Sequence, residues 1–123
     1  MTYYDIYLSA LAFIGEPEDS TGTADYKKRA LLLLPHIVSS LTYVQKLLGN
    51  NNAPEISNFF YITLDSDFPL DEQLATVASA KLASLLVIDE LPEMSQTLSK
   101  RAAEELERIM SSVVVIGSTR EVY

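Results

Sequence analysis

The stretch Leu74-Ala75-Thr76-Val77-Ala78-Ser79-Ala80-Lys81-Leu82-Ala83-Ser84-Leu85-Leu86-Val87-Ile88, led in by Pro69-Leu70-Asp71-Glu72-Gln73, decides the fold, and Lys81 is its only charge after Glu72. A helix this apolar on nearly all sides has to be buried on nearly all sides. Membrane spans need about 20 predominantly apolar residues, and this run is shorter and interrupted by serines and Lys81. The reading is therefore a central helix over 69–90 with the rest of the chain packed around it. Small residues at Ala75, Ala78, Ser79 and Ala83 let neighbouring helices approach closely, and Lys81 marks the exposed edge.

Three further helices flank this one. Thr2-Tyr3-Tyr4-Asp5 has the form of a capping box, opening a helix over 2–15 that Gly15 stops before Glu16-Pro17. Residues 16–23 are small, polar and acidic, and read as a loop. A helix over 24–48 follows, with Thr23 as its cap and Asp25 in its first turn. Its apolar stripe is Tyr26, Ala30, Leu33, Leu34, Ile37, Val38, Leu41, Val44 and Leu48. Pro35 lies inside that stripe and predicts a kink or break near Leu31–Leu34. Gly49 and Asn50 to Asn52 end the helix. A last helix, 92–112, starts with Pro92 at a first-turn position where its missing amide is harmless. Met94, Leu98, Ala102, Leu106, Ile109, Met110 and Val113 form its stripe. The opposite face is charged, and Glu104–Arg108 has the spacing of an exposed pair worth about 0.3 kcal/mol.

Two stretches are not helical in character. Phe59-Phe60-Tyr61-Ile62-Thr63-Leu64 is aromatic and β-branched, so the segment near 56–64 reads as a short strand or as an extended loop with aromatic anchors. Residues 113–123 begin Val113-Val114-Val115-Ile116 and read as an extended C-terminal arm, able to pair with 59–64 or to dock on another subunit. The fold class is mainly α: a compact bundle of four main helices in a single domain, 1–112, with an arm at 113–123.

Composition narrows function more than motifs do. The chain has 123 residues, 48% of them hydrophobic, which suits one globular domain. Nine Lys plus Arg against seventeen Asp plus Glu give a charge of −8, which repels a phosphate backbone and disfavours nucleic-acid binding by the surface as a whole. With no cysteine, disulfides and thiolate zinc sites are excluded. The N-terminus lacks the basic and apolar regions of a secretory signal.

The residues that could carry chemistry each have a plainer explanation. His36 is the only histidine, and spacing suggests no nucleophile or carboxylate partner. Asp65, Asp67, Asp71 and Glu72 could offer oxygen ligands to Mg²⁺ or Ca²⁺, but lack the glycine turn and distal glutamate of a calcium loop, and helix capping accounts for them better. Lys27-Lys28-Arg29 is the single basic cluster; it reads as a solvated helix face or a contact to an acidic neighbour. Tyr3, Tyr4 and Tyr7 read as interface anchors or as core-edge residues with wet hydroxyls. The expectation is a non-enzyme without cofactor or metal. Its candidate interaction residues are Tyr3, Tyr4, Tyr7, Lys27, Lys28, Arg29, Val113, Val114, Val115 and Ile116.

In order, Ala12-Phe13-Ile14-Gly15-Glu16 closes a short helix and Tyr26-Lys27-Lys28-Arg29-Ala30 opens a long one that closes in Leu47-Leu48. Asp67-Phe68-Pro69-Leu70-Asp71-Glu72 then enters an alanine-rich helix, and an acidic-basic helix completes the set. This order resembles the small helical head–tail connector, or adaptor, proteins of tailed phages and prophages. The resemblance covers most of the chain in the order and type of its elements; the aromatic stretch at 59–64 departs from it. It implies a virion structural part: copies of itself in a ring at the neck, in contact with portal and tail proteins, assembled in the host cytoplasm. It implies no catalytic residue. An acidic inner surface would let DNA pass without sticking, and the 113–116 arm would be the docking element. The reading from a different class is a small bacterial protein-binding or regulatory helical domain.

Overall fold

The computed structural model describes residues 1–18, 23–49 and 62–121, with side chains as far as Ser112. Among the described residues four α-helices follow in chain order: α1 (Tyr3–Ile14), α2 (Thr23–Leu47), α3 (Ala75–Leu86) and α4 (Pro92–Glu121), with a 3₁₀ turn, Glu72–Leu74, leading into α3. The mainly helical bundle read from the sequence is the fold. Among the described residues there is no strand, only an isolated antiparallel bridge between Thr2 and Asp67. The strand-prone stretch lies outside the described residues as far as Tyr61; Ile62 and Thr63 are irregular and Leu64-Asp65 is a turn.

α3 sits at the centre, packing against α1, α2 and, most extensively, α4. Ala78, Leu82, Ala83 and Leu86 are fully buried, and Val77, Ser79, Ala80 and Ser84 nearly so; Thr76 and Lys81 reach solvent. The central helix is shorter than the expected 69–90. Pro69 and Leu70 are irregular, Asp71 caps the 3₁₀ turn by accepting from the Gln73 amide at 3.0 Å, and Val87 to Glu90 form a turn. Acidic residues before a helix satisfy its free amides from outside rather than extend it.

With twelve residues, α1 is too short to be stable alone, and the fold fixes both ends. At the start, the Thr2 amide donates to Asp5 Oδ2 at 2.8 Å and the Asp5 amide to Thr2 Oγ1 at 3.3 Å, the expected capping box. The Tyr3 and Tyr4 amides donate to the carbonyls of Ser66 (3.0 Å) and Leu64 (2.8 Å), and the Phe68 amide to the Met1 carbonyl (2.9 Å). Residues 64–68 thus act as a strap across the helix start, with the Phe68 ring edge-on to Tyr3 at 6.0 Å. At the other end Gly15 is left-handed (φ 72), its amide donating to Ala12 O and that of Glu16 to Leu11 O. This is the paired closure that a glycine after a helix provides.

α2 runs unbroken through Pro35, so of the kink or break expected near Leu31–Leu34 the break is absent. Pro35 is buried, and Leu34, Ile37, Val38, Leu41 and Val44 bury around it. Each fully buried aliphatic side chain contributes about 1.5–3 kcal/mol, together more than the roughly 3 kcal/mol an interior proline costs. Gln45, only 1% exposed, accepts the Asp71 amide on its Oε1 at 2.7 Å and ties the end of α2 to the entry of α3.

α4 buries Ser95, Leu98, Ala102 and Ile109, with Leu106 and Met110 half-buried; Met94, expected in the stripe, is exposed. Its helical backbone is described as far as Glu121, over part of the 113–123 arm read from the sequence. Once a helix is nucleated, each further residue adds a hydrogen bond, and valine or isoleucine costs only a few tenths of a kcal/mol. The expected Glu104–Arg108 pair is replaced: Arg108 binds Glu105 through two nitrogens, and Lys100 lies 4.0 Å from Glu104.

Candidate functional site

The interaction residues read from the sequence divide once placed. Tyr3 and Tyr7, each 2% exposed, belong to the core. Burial pushes the Tyr3 phenol up to about 12 and raises that of Tyr7, whose hydroxyl donates to the Thr23 carbonyl at 3.2 Å and ties α1 to the start of α2. Neither is presented to a partner; Tyr4, half-buried, is the one of the three at the surface. Lys27 and Lys28 are exposed, but Arg29 turns inward and donates to the carbonyls of Leu85 and Leu86, both at 2.9 Å. A planar cation at the negative end of a helix satisfies carbonyls that α3 leaves unpaired. Val113, Val114, Val115 and Ile116 fall within the helical backbone of α4, and their side chains lie outside the described residues.

Hydroxyls buried by the fold serve as clasps between helices. Ser84 Oγ donates to the Ser95 carbonyl and Ser95 Oγ to the Ser84 carbonyl, both at 2.8 Å, with the two oxygens 3.1 Å apart. This reciprocal pair locks α3 to α4 where small side chains let the backbones approach. At the same end Tyr26 Oη donates to Glu90 Oε2 at 2.7 Å. The hydrogen bond to that carboxylate, then burial, pushes the Tyr26 phenol to about 12. Among the described residues no three of the acidic or histidine side chains converge as metal ligands. Asp71 is a cap, Asp67 pairs through its backbone, and Asp65 and Glu72 point to solvent.

Two outward features had only faint signals in the sequence. The first is a groove between α2 and α4, floored by α3. It encloses about 260 Å³ and is lined by Ile37, Tyr43, Val77, Ala103 and Leu106, with Lys81 in it. Tyr43, half exposed, spans toward α4 with its hydroxyl 3.8 Å from Met110 Sδ. Among the described residues Lys81 has no hydrogen bond or ion pair. The second is the corner joining α3 to α4, where Ile88, Leu91 and Met94 are 49%, 46% and 38% exposed beside the exposed acids Asp89, Glu90 and Glu93. Lys81 as an exposed edge was readable from the sequence. The corner's Ile-x-x-Leu-x-x-Met spacing was readable as well, but it mimics the start of a buried stripe.

Among the described residues α2 alone has the length and hydropathy of a membrane span; its apolar stripe is covered by the bundle. No protein-family model matches the sequence, and comparison with curated proteins and with solved structures finds no match.

Proposed function

We propose that the chain is a non-enzymatic structural subunit, a head–tail connector or adaptor of the tailed-phage and prophage type, joining portal to tail in a homo-oligomeric ring at the virion neck. The resemblance in the order of its elements motivates the reading. The observation that carries it is the corner between α3 and α4: Ile88, Leu91 and Met94 stand exposed close together in the chain, while among the described residues no buried side-chain nitrogen or oxygen lacks a hydrogen-bond partner. Clustered exposed apolar side chains mark surfaces meant to be covered by another protein. The charge of −8 agrees with a ring lining that lets DNA slide.

Native mass spectrometry of the purified chain, alone and with a portal protein from the same gene cluster, tests this. The expected result is a discrete multimer, stabilised on the portal. A chain that does not bind portal and stays monomeric throughout removes the adaptor reading and leaves a host-protein-binding domain. Removing residues 113–123 is expected to weaken assembly while circular dichroism loses no more helical signal than the removed end of α4 accounts for and the bundle keeps a cooperative melt.

A further inference from the structure

We infer that the α2–α4 groove receives the α3–α4 corner of a second copy of this chain, with Lys81 meeting Asp89 and Glu93 of the incoming corner. The inference deepens the proposed function and rests on its self-assembly clause.

The groove is small. At about 260 Å³ it falls below the roughly 300–1,000 Å³ of ordinary small-molecule sites and suits one or two apolar side chains. Its walls are mainly apolar (Ile37, Val77, Leu106), with Ser40 and Ser99 among them, and its one charged lining group is the Lys81 ammonium, which has no hydrogen bond or ion pair among the described residues. An occupant should therefore carry apolar side chains flanked by carboxylates. The corner has that chemistry: Ile88, Leu91 and Met94 stand out from the surface, with Asp89 and Glu93 exposed between them. Glu90 is held by Tyr26 and is left to that role. The acids turn solvent-facing apolar groups into a matched plug, because burying them beside Lys81 replaces hydration with an ion pair.

Groove and corner are different patches of one molecule. The corner lies at the bundle end where α3 hands over to α4; the groove lies on its side, near Lys81 and Leu106. A contact between unlike patches is head-to-tail. It repeats until it closes as a ring or runs on as a filament. Both patches must be free on a subunit for the series to propagate.

Opposed charge reversals test this, read by sedimentation and native mass spectrometry in low salt. Lys81→Glu alone, and Asp89→Lys with Glu93→Lys in a second chain, are each expected to weaken self-association at least tenfold. Their melts are expected to stay close to wild type, since all three residues are exposed. An equimolar mixture of the two variants is expected to reassemble, because each one's groove then matches the other's corner. Three results would each overturn the inference: a wild-type chain that never self-associates, a Lys81→Glu chain that assembles as wild type does, or a mixture that stays dissociated. Binding to portal, measured on the same variants, keeps the two ideas apart. If portal binds a chain whose assembly ignores Lys81, the adaptor reading stands and this contact falls.

Discussion

α3 and α4 are joined by a single turn and lie side by side, yet they bury themselves in opposite ways. α3 is covered around nearly its whole circumference and exposes only Thr76 and Lys81 through its middle. α4 buries a narrow stripe of Ser95, Leu98, Ala102 and Ile109 and leaves charged residues outside. α3 can be covered on all sides only by elements that do not cover one another. α2 and α4 meet sparsely, and the space between them is the groove that holds Lys81. The groove is thus the geometric remainder of wrapping three helices around one.

The sharpest way to break this contrast is to remove equal volumes from its two sides. Leu82 is fully buried in α3, and Leu82→Ala is expected to cost about 2–5 kcal/mol in urea unfolding, through lost transfer energy plus a cavity. Leu32, 72% exposed on α2, is expected to change stability by no more than about 0.5 kcal/mol when replaced by alanine. Comparable losses at the two sites would refute the division into covered centre and open flank. Next in size is the serine clasp. Ser84→Ala removes the Oγ that donates to the Ser95 carbonyl in a buried contact, while the Ser95 hydroxyl keeps the Ser84 backbone carbonyl, and is expected to cost about 1–3 kcal/mol. The double variant with Ser95→Ala is expected to cost less than the sum of the singles, which a double-mutant cycle checks.

A smaller effect is expected where α1 covers the other side of α3. Thr2→Ala removes the cap and is expected to cost about 1 kcal/mol. The Thr2 hydrogen bonds hold the Asp5 carboxyl below the usual range. The stability this group contributes is therefore complete above the ordinary carboxylate pKa and lost as pH falls through its depressed folded value. Melts recorded from pH 7 down to 3 should converge between wild type and Asp5→Asn at the acid end.

The sequence shows why the covered half was readable and the open half was not. Leu74–Ile88 announces its burial because a helix without a polar face has no other solution in water. Thr2–Asp5 and Gly15 announce the ends of α1 because capping is local chemistry, complete within a few residues. Tyr7, Arg29 and Gln45 instead act over separations of 16, 57 and 26 residues. Nothing within their own helices distinguishes Arg29 from Lys28, or a core tyrosine from an interface one. Met94 misled for a related reason: it keeps the stripe's period, but the side of α4 that meets α3 at that turn is the one carrying Ser95, which clasps Ser84. The groove has no linear signature at all, being made where helices fail to meet.

The Tyr26–Glu90 bond is expected to give the smallest effect at neutral pH and the most diagnostic one in alkali. It links α2 to the turn between α3 and α4, so it reports whether the corner stays attached while the rest of the open side is exposed. At pH 8, Tyr26→Phe is expected to cost only about 0.5–1 kcal/mol, because Glu90 is exposed and water competes for it. The phenol is raised from 10.0 to about 12 in the fold, so the neutral form is the one the fold favours. Its contribution is fully present below pH 10 and fades as pH climbs toward 12. Between those values wild type should lose thermal stability faster than Tyr26→Phe, and the two melting curves should close on each other. Parallel loss in both proteins would mean that the hydroxyl ionises as freely as in the unfolded chain. The corner's tie to α2 would then have to rest on Arg29 and its two carbonyls alone.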